Sequence, residues 1–261
     1  MKPGAIIIGA SAALSGVVGL RWGDFAAVWQ PVPAETPGRT LLAYAAAVLF
    51  LIGGVALQAR RTVAVGAAIL AALFTLFALL WTPRVAALPL VFATWSGVAE
   101  QLACALGVMA VYVAAKAESP TNQRLGDAAR FGFGLCAVAF GFNHFFNVQE
   151  TAAMTPRWLP PGPTGWAIAT GVFHVMGGLA LVFGVQTVLA ARLLGAMFAG
   201  FGLLVWGPLL WANIRDHTTW CGEVVTLSLV GAAWAIADLQ VARGVRSLNG
   251  RIGGATKPRP L

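Results

Sequence analysis

Two stretches of the chain, PGRTLLAYAAAVLFLIGGVAL (Pro37–Leu57) and PGPTGWAIATGVFHVMGGLAL (Pro161–Leu181), decide the reading of the fold. Each opens on Pro-Gly, which suits a turn, and then runs apolar for about the 20 residues a helix needs to cross a hydrocarbon core about 30 Å thick. Set side by side at an offset of 124 they agree at 10 of 21 positions, among them Pro37/Pro161, Gly38/Gly162, Gly53/Gly177 and Gly54/Gly178. With one residue of slippage the match continues at 125: Thr62-Val63 with Thr187-Val188, Trp81-x-Pro83 with Trp206-x-Pro208, and Thr94-Trp95-x-Gly97 with Thr219-Trp220-x-Gly222. Alanine and glycine match easily by chance, whereas paired Pro, Trp and Gly at one spacing do not. The chain therefore reads as a tandem duplication.

Composition agrees. Of 261 residues, 59% are hydrophobic and 10% charged, at a mean hydropathy of +0.79, where a soluble domain carries roughly 25% charged residues. That excludes an ordinary soluble enzyme, a disordered chain and a disulfide scaffold. Cys104, Cys136 and Cys221 lie far apart and form no CxxC pair, so neither a zinc module nor a thiol oxidoreductase is indicated. Eight apolar stretches qualify as spans: Gly4–Val28, Thr40–Leu57, Thr62–Trp81, Trp95–Ala115, Ala128–Val148, Thr164–Phe183, Thr187–Pro208 and Gly222–Ala242. The first also has the outline of a signal peptide, but the repeat requires a span there. The expected architecture is all-α and polytopic: eight transmembrane helices as two tandem four-helix bundles. Four spans per half make the halves parallel in the membrane. The polar linker Lys116–Arg130 divides them, giving residues 1–119, 120–245 and a basic tail, 246–261.

Lys and Arg on short loops set the orientation. With the N-terminus inside, twelve fall on the inner side (Lys2, Arg60, Arg61, Lys116, Arg124, Arg130, Arg192, Arg243, Arg246, Arg251, Lys257, Arg259) and four outside (Arg39, Arg84, Arg157, Arg215). Both termini are expected in the cytoplasm, the protein in the plasma (inner) membrane. The formal charge of +8 then faces anionic lipid, with no nucleic-acid partner implied.

Ionisable groups inside spans are functional candidates by default. Asp24 lies near the outer end of the first span, three residues after Arg21, with which it is expected to pair. Glu100 falls in the outer third of the fourth span, Glu223 opens the eighth, and Asp238 lies near Arg243 at its inner end. His144 sits beside Asn143 about one turn from the outer end of the fifth span, ahead of Glu150. His174 lies about 15 Å deep in the sixth, roughly 9 Å below His144 at the rise of a straight helix. Gly171, Gly177 and Gly178 flank it and permit close approach of a helix or ligand. Its counterpart in the first half is Phe50, so the second half is the chemically equipped one. These groups predict a pocket open to the outer side, with Trp206 and Trp220 at its level and glutamate and histidine as the proton-handling residues. Catalytic candidates are His144, His174, Glu100 and Glu223. The difference in depth disfavours a bis-histidine haem. A metal site from His144, Glu150, His217 and Cys221 is an alternative, and no metal is assigned.

The segments GFNHFFNVQETAAMTPRWLP (Gly141–Pro160), TGVFHVMGGLALV (Thr170–Val182) and GAAWAIAD (Gly231–Asp238) resemble the DoxX/DoxD-like family of small four-span membrane proteins. That family shows a polar residue late in its first helix, a Pro-rich outer loop and a G-x-x-(Glu or His)-x-x-G-G helix. Here these fall on His144, on Pro156, Pro160 and Pro161, and on Gly171, His174, Gly177 and Gly178. The first half departs from the pattern, with Phe50 in the polar slot and Asp24 opposite His144. The resemblance implies a four-helix unit and, because one member class forms the membrane part of a thiosulfate:quinone oxidoreductase, a quinone-facing role beside a redox partner protein. The expected function is a redox-associated membrane protein that binds a quinone or other lipid-like molecule. A non-catalytic transport or assembly module, and a lipid isomerase or cyclase using Glu100 and Glu223, are the alternatives.

Overall fold

The computed structural model describes the backbone of residues 2–255 and the side chains of 2–245. The side chains of the basic tail, 246–261, lie outside the described residues. The elements in order are α1 (Pro3–Trp22), α2 (Arg39–Ala56), α3 (Val63–Leu80), α4 (Thr82–Ala87), α5 (Phe92–Ala115), α6 (Pro120–Phe146), α7 (Val148–Met154), α8 (Pro163–Phe183), α9 (Thr187–Phe201), a π-helical turn (Gly202–Trp206), α10 (Gly207–Ala212) and α11 (His217–Ala255). There is no strand among them. Eight helices among the described residues are long and apolar enough to cross a membrane. Large apolar side chains such as Leu41, Val65, Leu79, Leu189, Leu193 and Leu203 are exposed on their outer faces, as lipid contact requires.

Several helix ends differ from the sequence expectation, each for a local reason. The first span stops at Trp22 because Gly23 takes a left-handed φ of 64° and closes the helix, a conformation that glycine adopts freely. The polar linker is mostly helix: Ser119 caps α6 by accepting the N–H of Asn122 at 3.1 Å, and Pro120 takes the first helical position. Proline suits that position because its missing N–H would have no partner there. The seventh span runs to Ala212 but passes through the π turn just before Pro208. Pro208 lacks the N–H a regular helix would use.

The spanning helices follow one another around a ring: α1 on α2, α3 on α5, α5 on α6, α6 on α8, α9 on α11, and α11 back on α1. Helices α5 and α11 also pack together across the middle. The first span of each half thus packs on the last span of the other half as well as on the second span of its own. Small residues make these seams. A Cβ on Gly4 would lie 2.2 Å from the Ala235 nitrogen, one on Gly231 2.4 Å from the Ile8 nitrogen, and one on Gly107 2.3 Å from the Ala232 Cβ. The Ser228 hydroxyl reaches Ser11 at 3.0 Å across the buried α11–α1 seam. Corresponding contacts recur in the two halves. Gly97 packs on the Trp81 ring and Gly222 on the Trp206 ring. The Trp95 indole donates to the Pro89 carbonyl at 3.1 Å, and the Trp220 indole to that of Ile214 at 2.8 Å.

The ends of the bundle are tied by charge. Asp24 pairs with Arg39 instead of the expected Arg21, because Gly23 ends the helix and removes the helical spacing between Arg21 and Asp24. The Arg21 guanidinium lies over the Trp22 ring. At the other end, Asp238 accepts the Gly4 N–H at 2.9 Å, while Arg243 bonds Asp127 at 2.7 Å and the Gln123 carbonyl at 2.6 Å. Asp216 caps α11, accepting from Thr219 Oγ1 at 2.5 Å and Thr219 N–H at 2.7 Å. These bonds hold its carboxyl below the usual carboxylate range.

Gly178→Ala should destabilise the fold by about 1–3 kcal/mol, since its Cβ would lie 2.6 Å from the Gly134 carbonyl oxygen. Gly200→Ala, with nothing within 4 Å, should be neutral or slightly stabilising. Unfolding titrations in mixed micelles compare the two. Because Asp216 is depressed when folded, its contribution is present above the unfolded carboxylate value of about 4 and is lost as pH falls through the folded one. Asp216→Ala should therefore lower the unfolding midpoint at neutral pH. Its gap to wild type should close in acid, as followed by circular dichroism across pH.

Candidate functional site

A cavity of about 630 Å³ lies toward the end of the bundle away from the chain termini. Five helices and the turn after α7 supply its polar side chains: Ser96 and Glu100 from α5, Asn143 and His144 from α6, Thr151 from α7, Thr155 just beyond it, Thr170 from α8, and Thr218 and Thr226 from α11. The rest of the wall is apolar or aromatic, with Trp29, Trp81, Trp166, Phe198, Phe201 and Trp206 prominent. A largely apolar cavity with a few convergent polar groups is the usual form of a small-molecule site.

Glycines set the position of His144. A Cβ on Gly171 would lie 3.0 Å from the His144 Cβ, and one on Gly141 2.7 Å from the Gly171 carbonyl oxygen, so α6 and α8 approach almost backbone to backbone. His144 Nδ1 lies 3.1 Å from the Ala167 carbonyl oxygen and 3.0 Å from Thr170 Oγ1. The Thr170 hydroxyl also reaches the Trp166 carbonyl at 2.7 Å.

His174 lies against His144, with ring centroids 5.2 Å apart. The depth difference expected from straight-helix arithmetic does not separate the rings. Side chains on a helix lean toward its N-terminus, so those of antiparallel neighbours such as α6 and α8 lean toward one another. The rings are in contact, with no gap for a macrocycle between them. His174 is buried at 1% exposure and does not line the cavity. It packs behind His144 among Phe140, Phe198 and Phe201, with centroids at 5.6, 5.4 and 6.0 Å. Its Nδ1 has no hydrogen-bond partner. In the first half Phe50 makes two of the corresponding contacts, at 5.3 Å to Phe74 and 6.0 Å to Phe77, which stand where Phe198 and Phe201 do.

Glu100 and Trp29 both line the cavity. Trp29 meets Trp206 edge-on at 5.9 Å, which links the Glu100 wall to the π turn. Glu223 is not among the lining residues. It faces Gly202 at the start of that turn, where a Cβ would stand 3.3 Å from its Oε1, and its Oε2 is buried without a partner. The structure therefore does not bring Glu100 and Glu223 together around one substrate. Asp24 is engaged with Arg39, Glu150 is exposed on α7, and Trp220 is held by the Ile214 carbonyl; none of these lines the cavity. Gly171 and Gly178 act through helix approach. Among the described residues no three His, Cys, Asp or Glu side chains come together as a metal site would need. His217 stacks on Trp22 at 5.1 Å, and the three cysteines are free and buried. Thr170, which orients His144, was not singled out from sequence. Its signal is its place four residues before His174, on the same face of α8.

His174→Phe should fold and gain about 1 kcal/mol, because it removes a buried donor or acceptor without a partner and because Phe50 already fills the corresponding cage. Thermal unfolding measures the gain; a loss of stability would show that His174 makes a polar contact in the folded protein.

Comparison with known proteins bears on one part of the chain. Residues 127–207 match the family model described as DoxX. They run from the first turns of α6 through the π turn and include His144, Thr170 and His174. Neither the curated proteins nor the solved structures yield a match. The chain is thus an all-helical protein with eight helices fit to cross a membrane, and residues 127–207 of its second half are similar to the DoxX family.

Proposed function

We propose that the cavity binds a quinone or another lipid-like small molecule and that the protein serves a redox-associated role, with a redox protein as partner. The observation that carries this reading is the composition of the cavity. Its volume of about 630 Å³ falls within the range of small-molecule sites. Its aromatic and aliphatic wall suits a ring and an isoprenoid or acyl tail, and its ionisable groups, His144 and Glu100, suit a polar head. The Lys and Arg count puts this end of the bundle at the outer face of the plasma membrane and both termini in the cytoplasm. On that orientation a lipid-soluble ligand enters from the outer leaflet. The reading treats the chain as two tandem four-span units, of which the second holds the histidines.

Organic extraction of protein purified in mild detergent, followed by mass spectrometry, should recover a quinone close to one per chain. Adding a short-chain quinone to stripped protein should raise its unfolding temperature. Truncating one hydrogen-bonding head contact, as in Asn143→Ala, should weaken retention about tenfold. No recovered quinone, together with no thermal shift on addition, would reject the proposal.

A further inference from the structure

The hydrogen bonds around His144 fix which of its nitrogens carries hydrogen. Thr170 has one hydroxyl hydrogen, and its shortest acceptor is the Trp166 carbonyl at 2.7 Å. The Thr170 oxygen therefore meets His144 Nδ1, at 3.0 Å, with a lone pair. The Ala167 carbonyl, 3.1 Å from the same nitrogen, can only accept. An unprotonated Nδ1 would set its lone pair against that carbonyl and could be satisfied only if Thr170 gave up its best bond. Nδ1 is therefore the protonated nitrogen, shared between two acceptors, and the neutral ring keeps a bare lone pair on Nε2. No group among the described residues bonds Nε2, and His144 lines the cavity.

The neighbouring side chain is committed the opposite way. Asn143 Oδ1 accepts from Asn147 Nδ2 at 2.7 Å. Its amide NH₂, on a side chain that also lines the cavity, is left to donate. Among the polar groups of the wall, two successive residues of α6 thus offer an acceptor, His144 Nε2, and a donor, the Asn143 amide.

From this we infer that the site selects a lipid whose head carries a hydroxyl group, a phenol, hydroquinone or lipid alcohol, with the hydroxyl donating to His144 Nε2 and accepting from Asn143. A ketone, ether or ester oxygen satisfies Asn143 alone and leaves Nε2 unpaired. A site built to bond a hydroxyl rejects an analogue that lacks it because its own buried group is then unmatched. This inference rests on the cavity being a ligand site and adds the chemistry of the head and, for a quinone, which redox form is held.

The test uses two redox-silent probes of equal length, 4-dodecylphenol and its methyl ether, with the full chain in lipid nanodiscs. Quenching of the cavity tryptophans reads affinity. The phenol should bind tenfold or more tightly than the ether. His144→Phe should erase that preference and leave ether affinity unchanged, while His144→Gln, which keeps an acceptor oxygen, should retain part of it. In wild-type protein labelled with ¹⁵N-histidine, the unprotonated Nε2 signal of His144 should move with phenol and stay in place with ether. Equal binding of both probes would overturn the hydroxyl assignment and leave the cavity reading standing. Binding of neither would overturn both. A phenol preference that survives in His144→Phe would place the acceptor elsewhere and overturn the role of His144.

Discussion

Lipid tails are as apolar as leucine, so helices inside a bilayer gain nothing by hiding apolar surface from one another, and close backbone contact has to supply the association. The α6–α8 seam shows how far this chain relies on that constraint. Cβ atoms on Gly134 and Gly178 would stand 2.7 and 2.6 Å from the carbonyl oxygens of Gly178 and Gly134 in turn. Gly141 meets Gly171 in the same way, at 2.7 Å. Only where two backbones come this near can side chains on antiparallel helices lean together as His144 and His174 do, with rings 5.2 Å apart. The glycines that the family resemblance places around His174 are thus the cause of the histidine pair.

The first half uses the same device without the chemistry. Gly54 approaches the Gly9 carbonyl, and Gly16 that of Ala47, at 2.5 and 2.6 Å from the added Cβ. Gly19, packed on Ala47, stands where His144 packs on Gly171, which corrects the expectation that Asp24 lies opposite His144. Phe50 takes the place of His174. Phe25 then packs on Phe77 at 6.1 Å, as His144 does on Phe201 at 6.1 Å. Four phenylalanines, Phe25, Phe50, Phe74 and Phe77, pack together in this region. The second half carries instead an imidazole nitrogen without a partner at His174, a cost in stability of the kind functional sites tolerate.

The number of spans was legible because membrane length and hydropathy are composition-level signals that survive local detail. Helix ends were less so. Residues 120–130 look like a linker by polarity, yet the Ser119 cap and Pro120 start a helix there and Asp127 finds Arg243, a partner 116 residues away that no local pattern reveals. The site was half legible. Polar types inside spans flagged His144 and Glu100, both on the cavity wall, but could not tell them from Glu223, which turns toward Gly202. Residues on one helix a few positions apart face different neighbours, and only the packing decides which neighbour is empty space. Thr170 stayed hidden because its role lies in where its one hydrogen goes.

On the proposed reading of the chain as two tandem units, the cavity also gives a reason for their being joined. Glu100 comes from α5, the last span of the first half, and the histidines from α6 and α8 of the second; α5 packs directly on α6. Thr226, from the last span of the second half, closes the wall where α11 crosses α5. A single four-span unit would hold the histidines and Thr170 and lack the carboxyl opposite them, unless a second copy supplied it. Two identical copies would repeat every group at both junctions. Joining them in one chain frees the junctions to differ: the α5–α6 side keeps Glu100 and His144, while Val225 and Gly19 stand at the corresponding repeat positions. What a duplication adds, on this reading, is asymmetry: one polar cavity in which α5 of the first half brings Glu100 to the polar groups of the second.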